Sequence, residues 1–234
     1  MIFDKIEINM KQWNRIFKKR GRVFLKPQED IPRIVKLFEK KGIKRILDLG
    51  CGSGRHLVYL GKRGFKVYGI DIAPEGIKIA KKWLREDKLK ATLSVGDIYK
   101  KLPYRDNFFD AIISTNTLHH NKIEKIRKLI KEMQRILKPW GLIFITVRKA
   151  LGVKGWKQNK IVIHRFKIGR GKKETRYKVI GPRIYTPIEG GERGLIHFCF
   201  NKKLIKKEFK NFEIFRIWTK YGHYCFLGEL KNEN

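Results

Sequence analysis

The sequence predicts an α/β fold, a mostly parallel β-sheet with helices on both faces and a basic insertion toward its C-terminal end. Three observations predict it. Short apolar runs at 45–49, 66–70, 91–95 and 110–115 have the length and composition of strands buried in a parallel sheet. Helical segments alternate with later runs, giving the strand-helix-strand order of right-handed parallel units. The first run leads straight into a turn spaced by Gly50, Gly52 and Gly54, which lets the chain reverse tightly, approach a ligand and enter a helix.

At the N-terminus, Phe3, Ile6, Met10, Trp13 and Phe17 form a helix-compatible apolar stripe, with Lys11, Arg15, Lys18, Lys19 and Arg22 supplying much of the polar surface. This predicts a helix packed on the sheet domain or closing its cleft, with contact to a membrane surface or RNA as the alternative. Pro27 breaks the pattern before a second helix, Ile31–Lys40, whose Ile31, Ile34, Val35 and Phe38 face the core, so residues 1–41 form a helical cover. After the glycine turn a helix is expected over 53–60, a strand over 66–70 ending at Asp71, and a third strand over 91–95 followed by Gly96 and Asp97. A loop over 101–109 precedes the central strand at 110–115, and Asn116, His119 and His120 follow at its carboxyl end, the edge where open parallel sheets expose ligands. Ile126, Ile130, Met133 and Leu137 mark the core face of a helix over 124–137, and 142–147 returns as a strand. Leu204, Ile205, Phe209 and Phe212 suit a short helix, followed by strands over 213–218 and 224–230.

The glycine turn narrows the ligand. A dinucleotide fingerprint would place a glycine where Arg55 stands, and no Gly-Lys-Ser/Thr ending is present, which argues against NAD and against a phosphate loop. Asp71 suits both hydroxyls of a ribose, and Asp97 an adenine amine, so two carboxylates bracket one nucleoside. Asp48, in the first strand, could orient the turn or attract a ligand ammonium through water. Asn116, His119 and His120 are the candidates for acceptor-side chemistry, with one histidine as a general base or, alternatively, as an orienting or structural group. Adjacent histidines are not a metal motif, because spacing assigns no third ligand, and no metal is expected.

Five runs carry a family resemblance: I-L-D-L-G-C-G-S-G-R, V-Y-G-I-D-I-A-P, V-G-D-I-Y-K-K-L-P-Y, F-F-D-A-I-I-S-T-N-T-L-H-H and L-K-P-W-G-L-I-F-I-T-V. Over residues 42–148 the chain resembles the class I S-adenosylmethionine-dependent methyltransferases, in particular the methyltransferase 11 group. The resemblance implies a Rossmann-like, seven-stranded sheet whose last strand inserts antiparallel, and S-adenosylmethionine as the cofactor. It implies that Asp48, Gly50, Cys51, Gly52, Ser53 and Gly54 hold the methionine part, Asp71 the ribose, and Asp97 with Ile98 the adenine, with Ile72 also among the cofactor-binding residues. It also implies that the segment from Ser114 to Leu118 passes beside the methyl donor. Trp140 replaces a glycine common in the turn between helix and strand, which bears on packing there rather than on cofactor binding. The implied reaction transfers a sulfonium methyl group to an acceptor. A small-molecule acceptor is expected, because one elaborated domain carries an insertion large enough to shape a pocket. The alternatives are an RNA or tRNA methyltransferase and a noncatalytic cofactor-binding protein.

Composition adds further constraints. A chain of 234 residues, 42% of them hydrophobic, builds one substantial core, so residues 1–234 are expected to form a single domain. The absence of a signal-like or transmembrane run makes the cytoplasm the expected location. Cys51, Cys199 and Cys225 form neither a C-x-x-C pair nor a zinc pattern and are expected to pack as ordinary thiols. The net charge of +34 favours encounters with RNA or other polyanions, although Lys enrichment through the whole chain also fits a generally charged surface. Residues 148–183 carry 13 Lys/Arg and one acidic residue, Glu174. Ile161, Val162, Ile163, Phe166, Tyr177, Val179 and Ile180 lie in the same stretch, so it is expected to be folded. Residues 148–197 are therefore expected to form an acceptor-side lid, with a polar loop at 189–194 and with Tyr177, Tyr185 and His197 as candidate acceptor contacts.

Overall fold

A computed structural model describes residues 5–150, 156–168 and 171–232. Phe3, and the side chains of Ile6 and Phe166, lie outside what it describes. Two helices, α1 (Lys5–Arg20) and α2 (Ile31–Lys40), precede the sheet. There follow β1 (Arg45–Leu49), α3 (Arg55–Gly61), β2 (Lys66–Asp71), α4 (Pro74–Glu86), β3 (Ala91–Val95), β4 (Phe109–Ser114), α5 (Ile123–Ile136) and β5 (Leu137–Arg148). The insertion supplies β6 (Ile161–Ile168), β7 (Gly171–Gly181), β8 (Ile184–Pro187) and β9 (His197–Phe198), and α6 (Lys202–Glu208), β10 (Phe212–Lys220) and β11 (His223–Leu230) complete the chain.

Among the described residues, seven strands form one sheet in the order β10-β11-β5-β4-β1-β2-β3. The pairings β1 to β2, β1 to β4, β2 to β3 and β4 to β5 are parallel. The last strand, β11, pairs antiparallel with both β5 and β10, as the resemblance implied. The strand order reverses at β1, flanked by β2 and β4, and this is the switch point at which open sheets leave a crevice.

Strand alternation divides the core between the two faces. Leu47, Leu49 and Ile112 pack with Ile126, Leu129, Ile130 and Met133 of α5. Their neighbours Ile46, Ala111 and Ile113 point the other way, against Ile34 and Phe38 of α2, Leu57 of α3, and Ile77 and Trp83 of α4. Helix α4 adds an element between β2 and β3 and carries clear local signals: Pro74 in its first turn and a buried stripe of Ile77, Ala80, Trp83 and Leu84. Helix α3 starts at Arg55 rather than at residue 53, because Gly54, at φ 93°, caps it in a left-handed conformation.

β5 starts five residues before the strand expected at 142–147. Phe109 pairs with Leu137 and Ala111 with Leu142, so the extra residues bulge out. Trp140 sits in that bulge at φ 62° and is exposed, so the residue in place of a glycine meets backbone strain rather than core packing.

The insertion folds as a second, antiparallel sheet in the order β6-β7-β8-β9, tied to the end of β5 by the bridge between Lys149 and Phe200. Tyr177, Tyr185 and Cys199 form its small buried cluster. No described helix is long and apolar enough to cross a membrane. Asn201 caps α6, its side-chain oxygen accepting from the Leu204 N–H at 2.8 Å. Asn201→Ala is expected to cost about 1 kcal/mol of stability. A thermal melt should read this as a drop of about 2–4 °C without loss of cooperativity.

Candidate active site

A cleft opens at the carboxyl ends of β1, β2, β3 and β4. Its floor is the glycine turn. Gly50 stands at φ 78°, and a Cβ there would lie 2.2 Å from Thr117 Cγ2, so β1 and the loop after β4 approach too closely for any side chain. The Gly50 and Cys51 N–H groups donate to the Ile70 carbonyl at 2.8 and 3.2 Å, fastening the turn to β2.

Asp71 extends that attachment. Its Oδ2 accepts from the Gly52 N–H and its Oδ1 from the Ala73 N–H, both at 2.8 Å. Burial pushes its pKa up to about 6, against the opposing pull of those backbone donors. The carboxylate therefore shapes the turn as well as facing the cleft. Asp97 lies on the opposite wall, its Oδ1 accepting from the Tyr99 N–H at 3.0 Å. The Tyr99 hydroxyl donates toward the Leu118 and Thr117 carbonyls at 3.1 and 3.2 Å, joining this wall to the loop after β4.

Asp48 is buried beneath the turn, with Oδ2 3.3 Å from His56 Nδ1 and Oδ1 lacking a hydrogen-bond partner. His56 Nε2 accepts from the Gln28 N–H at 3.2 Å, which leaves the ring proton on Nδ1, facing Asp48. Burial lowers the His56 pKa against the pull of Asp48, so the pair holds a neutral imidazole.

On the acceptor side, Asn116 adopts φ 56°. Its N–H donates to Thr146 Oγ1 at 2.8 Å, and that hydroxyl donates to Asn116 Oδ1 at 3.0 Å. His120 lines the cleft, with Nε2 3.0 Å from the Asn116 carbonyl and the Trp13 ring edge-on at 5.7 Å. His119 lies behind it, 1% exposed, its ring 4.4 Å from that of His120 and 5.6 Å from that of His197. Burial, followed by the neighbouring histidines and Arg148, holds the His119 pKa well below its usual value. His197 is depressed in the same way.

The cleft thus gathers Gly50, Cys51, Gly52, Ser53, Asp71, Ile72, Asp97, Ile98, Asn116 and His120. Asp48, Gly54, Ser114 and His119 do not line it. Ser114 is buried and donates to the Leu49 carbonyl at 3.1 Å, stitching β4 to β1. Gly54 packs against Ala80 of α4. Tyr177 and Tyr185 are buried together with ring centroids 4.6 Å apart, and Tyr185 stacks on His197 at 5.0 Å.

Sequence reasoning missed Arg55 and His56 as cleft residues. Arg55 entered only as the residue that breaks a dinucleotide fingerprint, yet its guanidinium lies over Phe24 at 4.5 Å and reaches Thr115 Oγ1 at 3.4 Å. Among the described residues no carboxylate forms an ion pair with it. Trp13 and Phe17 belonged to the helical stripe, and the structure turns that stripe into one wall of the cleft.

Comparison with known proteins places this geometry. Residues 47–145 match the family described as "Methyltransferase domain". Norajmaline N-methyltransferase of Rauvolfia serpentina is 34% identical over 105 residues, 44% of this chain and 35% of that protein. The tRNA (carboxymethyluridine(34)-5-O)-methyltransferase of Arabidopsis thaliana is 42% identical over 103 residues, 44% of this chain and 23% of that protein. The matches thus span about a third or less of these relatives' length. The crystal structure of an S-adenosylmethionine-dependent methyltransferase from Clostridium acetobutylicum superposes with a TM-score of 0.68 at 15% identity, covering 95% of this chain and 99% of that one, a likeness of fold.

Proposed function

This chain carries a methyltransferase domain of the class I S-adenosylmethionine-dependent kind, and from that premise we propose that it transfers a methyl group from S-adenosylmethionine to a small-molecule acceptor. One observation carries the donor assignment: a single cleft brings Asp71, Asp97 and the glycine turn together. The residues fit the donor. Asp71 suits the ribose hydroxyls, Asp97 the adenine amine, and the approach of the backbone at Gly50 and Gly52 the methionine part. Arg55, with no carboxylate partner among the described residues, is suited to the methionine carboxylate.

When bound, S-adenosylmethionine supplies an electrophilic methyl group on a positively charged sulfur. The protein's share is alignment and exclusion of water. Trp13, Phe17 and Phe24 wall the cleft with aromatic surface from the N-terminal cover, and Asn116 and His120 stand at the carboxyl end of β4, where an acceptor would be oriented. Because burial lowers the His120 pKa and its ring nitrogens face the Asn116 and Ile196 carbonyls, the ring suits a positioning role beside Asn116 better than retention of an acceptor proton. The aromatic-walled cleft supports a small acceptor. The +34 charge and the tRNA-modifying relative support RNA as the second reading. A cytoplasmic location belongs to the same proposal.

Calorimetric titration with S-adenosylmethionine, NAD and ATP tests the donor assignment, with stoichiometric binding expected for the first alone. Affinity is expected to fall as the pH drops through about 6, because the raised Asp71 pKa lets the carboxylate protonate there and lose acceptor capacity. Asp71→Asn should flatten this dependence in the same titration. With an acceptor in hand, Asn116→Ala and His120→Ala are expected to slow single-turnover transfer more than they weaken donor binding. Normal acceptor affinity and normal rates in both folded variants would remove this cluster from the mechanism.

A further inference from the structure

We propose that His119, His120 and His197 form a binding site for one divalent transition metal ion of the zinc, cobalt or nickel class, set directly behind the methyl-transfer cleft. The proposal does not depend on the methyl-transfer reading. The three imidazoles come from two distant segments, the loop after β4 and strand β9, and each offers a ring nitrogen within 4.8 Å of the others. Tetrahedral coordination at a metal–nitrogen distance of about 2.0–2.1 Å puts ligand nitrogens roughly 3.4 Å apart, so small side-chain rotations would close the set.

The second observation is independent of spacing. His119 Nδ1 and His197 Nδ1 are buried without a hydrogen-bond partner, in residues 1% and 5% exposed, and His197 Nε2 makes no hydrogen bond although the Glu192 carboxylate lies 3.4 Å away. Buried polar atoms in native proteins are ordinarily satisfied, and so many orphans within one cluster call for a ligand. His120 is arranged as a ligand would be. Its Nε2 faces the Asn116 carbonyl at 3.0 Å, and donation there places the lone pair on Nδ1, which otherwise meets the Ile196 carbonyl at 3.3 Å. A metal at Nδ1 would replace that contact between two acceptors. Tyr185, stacked on His197 with planes 4° apart, and Trp13, edge-on to His120, hold the rings in place.

Three imidazoles favour borderline metals over magnesium or calcium, which take oxygen ligands. Glu192 lies 3.4 Å from His197 Nε2, placed to fix that ring's orientation or to occupy a fourth position. The Arg148 Nε is buried without a partner and its charge acts on His119 and His197, which suits a fourth ligand that is an anion.

The test is titration of chelator-treated full-length protein with Co²⁺, read by visible absorption, and with Zn²⁺, read by calorimetry. One equivalent per chain and the visible bands of a four-coordinate, nitrogen-rich cobalt site are expected. His197→Ala should lose both, and His197→Cys should keep the cobalt and add a sulfur-to-metal charge-transfer band. Circular dichroism and a cooperative thermal melt, measured on each variant, report whether it is folded. Absence of stoichiometric uptake by the native chain, or undiminished uptake by folded His197→Ala, would overturn the site.

Discussion

Asp71→Ala is expected to abolish measurable donor binding while the sheet stays folded. Its two oxygens accept from Gly52 and Ala73, so the substitution removes one of the bonds that hold the glycine turn to β2 together with the ribose acceptor. Hydrogen bonds to a charged group contribute about 1.5–3 kcal/mol each, so two lost ribose contacts correspond to roughly 10²- to 10⁴-fold in affinity. Stability should change less, because removal of a buried carboxylate relieves its desolvation while leaving two backbone donors without an acceptor. Calorimetry and circular dichroism on the same preparation separate the two effects. Unchanged affinity in a folded variant would remove Asp71 from the donor site. Asp97→Asn, by contrast, is expected to alter selectivity among adenosine analogues with the fold preserved.

Gly50→Ala should be the most damaging single methyl group that can be added to the cleft. Gly50 stands at φ 78°, where a side chain costs about 1–2 kcal/mol, and the added carbon would lie 2.2 to 2.7 Å from three atoms of Thr117. Overpacking of this kind adds roughly 1–3 kcal/mol. A melting temperature lowered by several degrees and strongly weakened donor binding are expected together. The double variant Gly50→Ala with Thr117→Gly separates the causes, because it removes the clash and leaves the backbone strain. Partial recovery of stability is expected. No recovery would place the whole cost in the backbone, and a single variant as stable as the native chain would contradict the close approach.

The legible parts of this protein are those whose signals are local. β1 and β3 run as predicted, because a short apolar run between turn residues has few other uses, and the glycine turn with Asp71 and Asp97 marked the crevice from β1, β2 and the end of β3. Side-chain direction was harder to read. Ser114 occupies the expected strand end but points to the Leu49 carbonyl, and of the adjacent histidines only His120 reaches the cleft. Both outcomes depend on pleat and loop geometry, which residue order alone does not carry. Arg55 and His56 were hidden because their partners, Thr115 and Gln28, lie on other elements. His197 joins His119 and His120 only after the insertion folds into its own sheet and returns to the end of β5, a non-local event that no spacing rule reports.

The most direct measurement of the central claim is methyl transfer itself. Purified protein is incubated with S-adenosylmethionine labelled in its methyl group and with cellular extract separated into small-molecule and RNA fractions, and the label is followed by chromatography. The account predicts labelled product in the small-molecule fraction and its loss with Asp71→Ala. Label confined to RNA, or no labelled product from any fraction by a protein that binds the donor, would contradict it.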